Sequence, residues 1–416
     1  MHRWHVLVFV FVFGGLAAVM TTAAQAPLDP TMAPLWHTAA RGRGMPAVRG
    51  NRAYALSTDH HVVALSLDDG TEQWRRSTGE SGWITEGFRV VVAGDAVIAG
   101  DWDLYAYHAE SGNRLWEFHP STGYGPGGFL GQAWGDRVFT GSPSGSIYAV
   151  ATTTGRELWR APIETNGQTS VFEPVTDGAV VVAGYTIFTA PNTGGVVAVD
   201  ATTGKERWRF KYPAPADRSL SAYWAGGPVL TKDLAIASSG DGQVWALDLQ
   251  NGVLQWTLPA LTGPIDGIIT TTNREVRSLA VEQGRLIVGS LTGYLVAYDI
   301  ATQREVWRLE NGRLGSIGFD DFTSGNGVVY VPYASGFLIA VEVERGAVLW
   351  QTRDYKQGLA WPPAVAGDRV VAAGAAGFWA FPAGPQPEPA AAGAGDASAA
   401  RPGFSAPFDR RLEPQP

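Results

Sequence analysis

The sequence predicts an all-β chain, an eight-bladed β-propeller with four antiparallel strands per blade, and three observations carry that reading. An alanine inside an apolar strand pattern returns at Ala64, Ala106, Ala149, Ala198, Ala246, Ala297, Ala340 and Ala380. A tryptophan follows ten residues after each of the first seven, at Trp74, Trp116, Trp159, Trp208, Trp256, Trp307 and Trp350. Their spacing, 42 to 51 residues, falls in the range of propeller blades. Third, the eighth copy, Phe378-Trp379-Ala380-Phe381, runs into Pro382 without a closing tryptophan, while Ala33-Pro34-Leu35-Trp36-His37 has the closing strand but not the strand before it. The two halves complement each other. The segment around Trp36 is therefore expected to close the ring as the outer strand of a last blade built from about residues 359 to 382.

The clearest copy of the repeat is VVAVDATTGKERW, residues 196–208. Val197 and Val199 alternate as in a strand with one buried face, and Thr203-Gly204 supplies a tight turn where a positive φ is easiest. Glycine recurs there at Gly70, Gly112, Gly155, Gly252 and Gly346, and Gln303 is the one departure. The alanine strand is the third of each blade and the tryptophan strand the fourth. The first two come from stretches such as residues 364–373, AVAGDRVVAA, with Gly367-Asp368 at the hairpin. The small alanine suits close approach between twisted sheets. Trp36 and its seven counterparts are read as structural: each buries a large apolar area near the rim, and its indole N–H can reach a carbonyl on the neighbouring blade.

The ends of the chain read differently. Arg3 is followed by an apolar run from Leu7 to about Met20 and then Ala24-Gln25-Ala26, the order of a secretory signal over residues 1–26. The mature chain is expected to begin near Pro27, with the propeller over 27–382 and a disordered Pro-, Ala- and Gly-rich tail over 383–416. The chain has no cysteine, so it has neither a disulfide framework nor an acceptor for an N-terminal lipid. A formal net charge of −8, with no dense block of Lys or Arg, argues against nucleic acid.

With Ala198-Val199-Asp200, Thr203-Gly204 and Trp208 as its clearest copy, the phrase resembles the repeat of pyrroloquinoline-quinone (PQQ)-type β-propellers over roughly residues 33–382. That superfamily includes quinoprotein dehydrogenases, which hold the quinone and Ca²⁺ on the propeller axis, and the non-enzymatic propeller subunit of the outer-membrane β-barrel assembly machinery. The resemblance implies a non-catalytic scaffold in the cell envelope, in the periplasm or at the cell surface, that binds a protein partner as a monomeric propeller with no cofactor. Where that subunit is typically a lipoprotein, this chain has no cysteine to lipidate and would be held at a membrane by partners. The alternative it leaves open is a small dehydrogenase of alcohols or sugars using PQQ and Ca²⁺, to which Trp224 and Asp320 could contribute. None of that family's Ca²⁺ ligands match positions here, and a CxxCH haem site is ruled out.

Loops on a rigid scaffold are where binding usually resides. The inter-blade loops carry Trp83, Tyr124, Phe172, Tyr223, Trp224 and Trp361, with Asp320 and Asp321 as charged companions, and these are the candidate partner-binding residues. The competing reading is that the aromatics plug the central channel or cap the core. Asp320-Asp321 and His60-His61 are weak as metal ligands because adjacent residues on a strand point to opposite faces. Spacing along the sequence shows no other metal site, no nucleophile elbow and no phosphate-binding loop. His108 stands where the repeat usually has Asp.

Overall fold

The computed structural model describes residues 31–78, 89–100, 103–119, 129–163, 169–188, 192–214, 224–259, 276–290, 293–310, 322–352 and 361–384, all strand, turn or coil. The chain opens with two short strands, β1 (Thr31–Met32) and β2 (Trp36–Thr38), which join the last two blades. Blade 1 is β3 (Gly42–Arg49), β4 (Arg52–Ser57), β5 (His61–Ser66) and β6 (Glu72–Ser77). Blade 2 is β7 (Val90–Ala93), β8 (Ala96–Gly100), β9 (Leu104–His108) and β10 (Arg114–Phe118). Blade 3 is β11 (Phe129–Trp134), β12 (Arg137–Gly141), β13 (Ser146–Ala151) and β14 (Glu157–Pro162). Blade 4 is β15 (Thr169–Val171), β16 (Val175–Thr176), β17 (Val180–Ile187), β18 (Thr193–Asp200) and β19 (Glu206–Lys211). Blade 5 is β20 (Trp224–Leu230), β21 (Leu234–Ser239), β22 (Val244–Asp248) and β23 (Leu254–Leu258). Blade 6 is β24 (Val276–Glu282), β25 (Arg285–Ser290), β26 (Tyr294–Asp299) and β27 (Glu305–Glu310). Blade 7 is β28 (Thr323–Gly325), β29 (Val328–Pro332), β30 (Leu338–Glu342) and β31 (Val348–Thr352). Blade 8 is β32 (Ala364–Ala366), β33 (Arg369–Gly374) and β34 (Gly377–Pro382), completed by β2.

The eight-bladed propeller and its closure are as the repeat predicts. The innermost strands of adjacent blades touch all the way round. β2 pairs antiparallel with β34, Trp36 facing Ala380, so a segment from the start of the chain finishes the last blade. Two blades depart from four plain strands. Pro174, which has no N–H for the ladder, divides the inner strand of blade 4 into β15 and β16, both paired with β17. Blade 7 carries a fifth strand, because β1 adds parallel to the outer edge of β31.

The alanine-to-tryptophan offset is a register. Each alanine lies directly opposite its own blade's tryptophan, from Ala64 with Trp74 round to Ala380 with Trp36. The core sits between blades, in clusters that each draw on two neighbours. One joins Phe139, Ile147 and Trp159 of blade 3 to Val181, Tyr185 and Val197 of blade 4. Seven tryptophans also latch forward: the indole N–H of Trp36, Trp74, Trp116, Trp159, Trp208, Trp307 and Trp350 donates to a carbonyl of the following blade at 2.8–3.2 Å. The turn glycine of that blade lies flat under the ring. At Gly70, Gly112, Gly155, Gly204, Gly252 and Gly346 φ is 66–74°. A Cβ there would fall 2.5–2.8 Å from the indole.

Blade 6 breaks this pattern. Gln303 replaces the glycine at φ 56°. Its Nε2 donates to Ile300 O at 2.8 Å, the carbonyl that the repeat would offer to Trp256. Trp256 is half-buried, and among the described residues it is the one blade tryptophan without the forward latch.

Candidate functional site

Two surfaces of this ring carry chemistry: the outer edges of the blades, and the face that gathers the hairpins between second and third strands. An outer strand presents unpaired N–H and C=O groups, and charged side chains are the usual guard against unwanted pairing. Most blades have that guard. Glu72 and Arg75 pair at 3.0 Å across β6, Glu206 and Arg209 at 2.6 Å across β19, and Glu305 and Arg308 at 2.7 Å across β27. In β10 the order is reversed, with Arg114 and Glu117 at 2.9 Å.

Two outer strands of five residues have no charge, β23 (LQWTL) and β31 (VLWQT). The edge of β31 is occupied: Thr31 and Met32 lie beside Gln351 and Thr352, and Met32 is 8% exposed against Tyr330, Trp350 and Val370. The edge of β23 has no strand beyond it among the described residues. Val253 and Leu254 are exposed at its start, as is Val306 on β27 of the next blade.

On the hairpin face, Asp103 precedes β9 and His119 follows β10, so the outer half of blade 2 brings them together with Glu117. His119 Nδ1 lies 2.7 Å from Asp103 Oδ2, and Nε2 lies 2.9 Å from Glu117 Oε1. Spacing along the chain hides this group, because the strand pairing that joins residues 103, 117 and 119 must be known first. On blade 5, Asp241 is 5% exposed and held by Ser239 Oγ at 2.5 Å and Gln243 Nε2 at 3.0 Å, while Trp245 donates to Ser239 Oγ at 2.8 Å. This buried carboxylate is met by neutral donors, and its role is to fix the hairpin. Nearby, burial pushes the Tyr212 hydroxyl far above its usual range, and Asp241 adds to the effect.

Of the residues that sequence reasoning favours for binding, Phe172 and Trp361 have described side chains. Phe172 is half-buried and packs edge-on against Phe129, with centroids 5.0 Å apart. Trp361 packs against the cluster of Tyr54, Val62 and Trp74, so it covers the core between blades 1 and 2. Trp224 begins β20, and its side chain lies outside the described residues. Trp83, Tyr124, Tyr223, Asp320 and Asp321 also lie outside them. His108 performs the task of the aspartate it replaces. Its Nδ1 accepts from the N–H groups of Glu110 and Ser111 at 3.3 and 3.4 Å, as Asp200 Oδ1 accepts from Thr202 and Thr203.

Residues 6–124, 143–290 and 270–378 match the family described as outer membrane protein assembly factor BamB. This chain belongs to the BamB family. BamB of Salmonella typhimurium is 26% identical over 332 residues, which are 78% of this chain and 70% of that protein. Among solved structures, BamB from Moraxella catarrhalis superposes with a TM-score of 0.61 at 18% identity, covering 83% of this chain and 99% of that one. The quinohemoprotein alcohol dehydrogenase ADHIIG from Pseudomonas putida HK5 gives 0.62 at 15% identity, over 88% of this chain and 80% of its own. At these identities the structural likeness speaks for the shared ring alone. No helix among the described residues is long and apolar enough to cross a membrane.

Proposed function

We propose that the chain is a non-catalytic scaffold of the cell envelope that assists outer-membrane protein assembly by holding an extended polypeptide strand at the outer edge of a blade. The observation that carries this reading is β1. A short strand already lies parallel on the uncharged edge of β31 and buries Met32 beside Trp350. Main-chain pairing of this kind is indifferent to the partner's sequence, which suits a factor serving many β-rich clients. The matching edge is β23, equally uncharged and flanked by exposed Val253 and Leu254. Membership of the BamB family supports the assembly role, the envelope location and a protein partner.

The test uses a fluorescent ten-residue peptide of alternating apolar and polar residues, patterned on a barrel strand, titrated into the intact protein. Wild type should bind it, and Leu254→Lys or Thr257→Lys should weaken binding on the order of tenfold, the worth of about one lost pairing interaction. Binding that survives both substitutions would remove β23 as the site. The dehydrogenase reading draws on Trp224 and Asp320, whose side chains lie outside the described residues, and no observation favours it.

A further inference from the structure

The repeat offers its own control for the group on blade 2. Where Glu117 follows the blade tryptophan, blades 1, 3, 4 and 6 have Arg75, Arg160, Arg209 and Arg308. No other blade has an acid at the position of Asp103, three before the alanine, or a histidine at that of His119, three after the tryptophan. Blade 2 therefore departs from the repeat at three positions, and the three departures meet in space. The side chains of Asp103 and Glu117 are 22% and 25% exposed and that of His119 61%, so the group is open to solvent on one side.

An imidazole and two carboxylates, the ligand types that divalent ions take, converge here. Both ring nitrogens of His119 face carboxylate oxygens. Arg114 engages the other oxygen of Glu117 at 2.9 Å, which leaves Oε1 facing the ring.

We propose that Asp103, Glu117 and His119 form a binding site for a divalent transition-metal ion of the zinc class. One ligand atom from each residue lies within 4.8 Å of the others. An ion takes one ring nitrogen, so binding it requires one carboxylate to leave the other nitrogen and turn toward the ion, to the roughly 2.0–2.2 Å that zinc takes. Imidazole with two carboxylates favours zinc-class ions over the hard, oxygen-seeking Ca²⁺ and Mg²⁺. Three protein ligands leave a position for water or for a side chain of a bound partner.

Isothermal titration of the intact protein with zinc chloride tests this, alongside His119→Ala and Glu117→Arg, the latter installing the arginine of blades 1, 3, 4 and 6. The protein has seven histidines, so the difference between wild type and variants is the readout. Wild type should take up one Zn²⁺ that both variants lose or bind at least about tenfold more weakly, a loss that even outer-shell changes can produce. Metal-free melting temperatures confirm that each variant is folded, and either one alone decides the question. Zinc uptake unchanged by both substitutions overturns the proposal. So does a wild type that takes up no zinc.

Discussion

Replacing Gln303 by glycine should stabilise the ring, and the sign of the effect follows from the interface of blades 5 and 6. A side chain held in the left-handed region costs about 1–2 kcal/mol, which glycine relieves. Gln303 is held there at φ 56°. Removing its amide also frees Ile300 O for the Trp256 indole, a bond worth about 1 kcal/mol. Against this stand the two bonds from Gln303 Nε2 to Ile300 O and Ala301 O, in a partly exposed turn, together about 1 kcal/mol. The greater freedom of glycine in the unfolded chain costs about 0.4–1 kcal/mol more. The balance is about 1 kcal/mol in favour of Gln303→Gly. Urea unfolding at constant slope measures it as a shift of midpoint. A double-mutant cycle with Trp256→Phe, which lacks the N–H, separates the latch from the backbone: the gain should shrink by about 1 kcal/mol in that background. A destabilised Gln303→Gly protein, or a gain indifferent to the indole N–H, would refute the account of blade 6 as an unlatched seam.

Trp36→Ala should cost about 3–5 kcal/mol, because Trp36 is 7% exposed, latches to Leu67 O and completes blade 8. Trp256→Ala, half-buried and unlatched, should cost clearly less, and equal urea midpoints for the two would contradict the latch argument. Acid should remove the support that Asp200 gives to its turn. The bond from Arg207, then those from Thr203, hold its carboxyl at about 2 against an ordinary value of 3.8. The unfolded chain thus binds more protons in that window, and the contribution, full above 3.8, fades as pH falls towards 2. Stability against pH for Asp200→Asn should show a shallower acid slope than wild type, and an unchanged slope would contradict the assignment.

The ring is legible in the sequence because its signals are short-range and repeated. Ten residues from alanine to tryptophan is the length of one hairpin in a fixed register, and the two incomplete copies at Trp36 and Ala380 can only complete each other. The departures from the repeat on which the proposals rest are non-local. β1 gives two residues to an edge more than three hundred positions away, and nothing in Thr31-Met32 announces it. Asp103, Glu117 and His119 look unrelated until β9 and β10 are paired. Gln303 is visible as an exception, but its consequence lies on Trp256 in the preceding blade, across an interface that only the structure defines. The proposed loop residues depend on tertiary placement in the same way. Phe172 and Trp361, read from composition as candidate contacts, are engaged with Phe129 and with the core between blades 1 and 2.

The pairing of β2 with β34 also sets an order of events. Synthesis delivers Trp36 before any of the eight sheets and its partner Ala380 after seven of them, so seven sheets can assemble from neighbouring hairpins while the eighth waits. Until residue 380 arrives, β2 has no strand to join and blade 1 lacks one of its two neighbours. The slow, entropically costly contacts are thereby kept to the closing step, at β31 and β34. A chain truncated before β34 would lose the clasp as well as a blade, leaving only the two-residue pairing of β1 with β31 to hold the ends of an otherwise finished row of sheets.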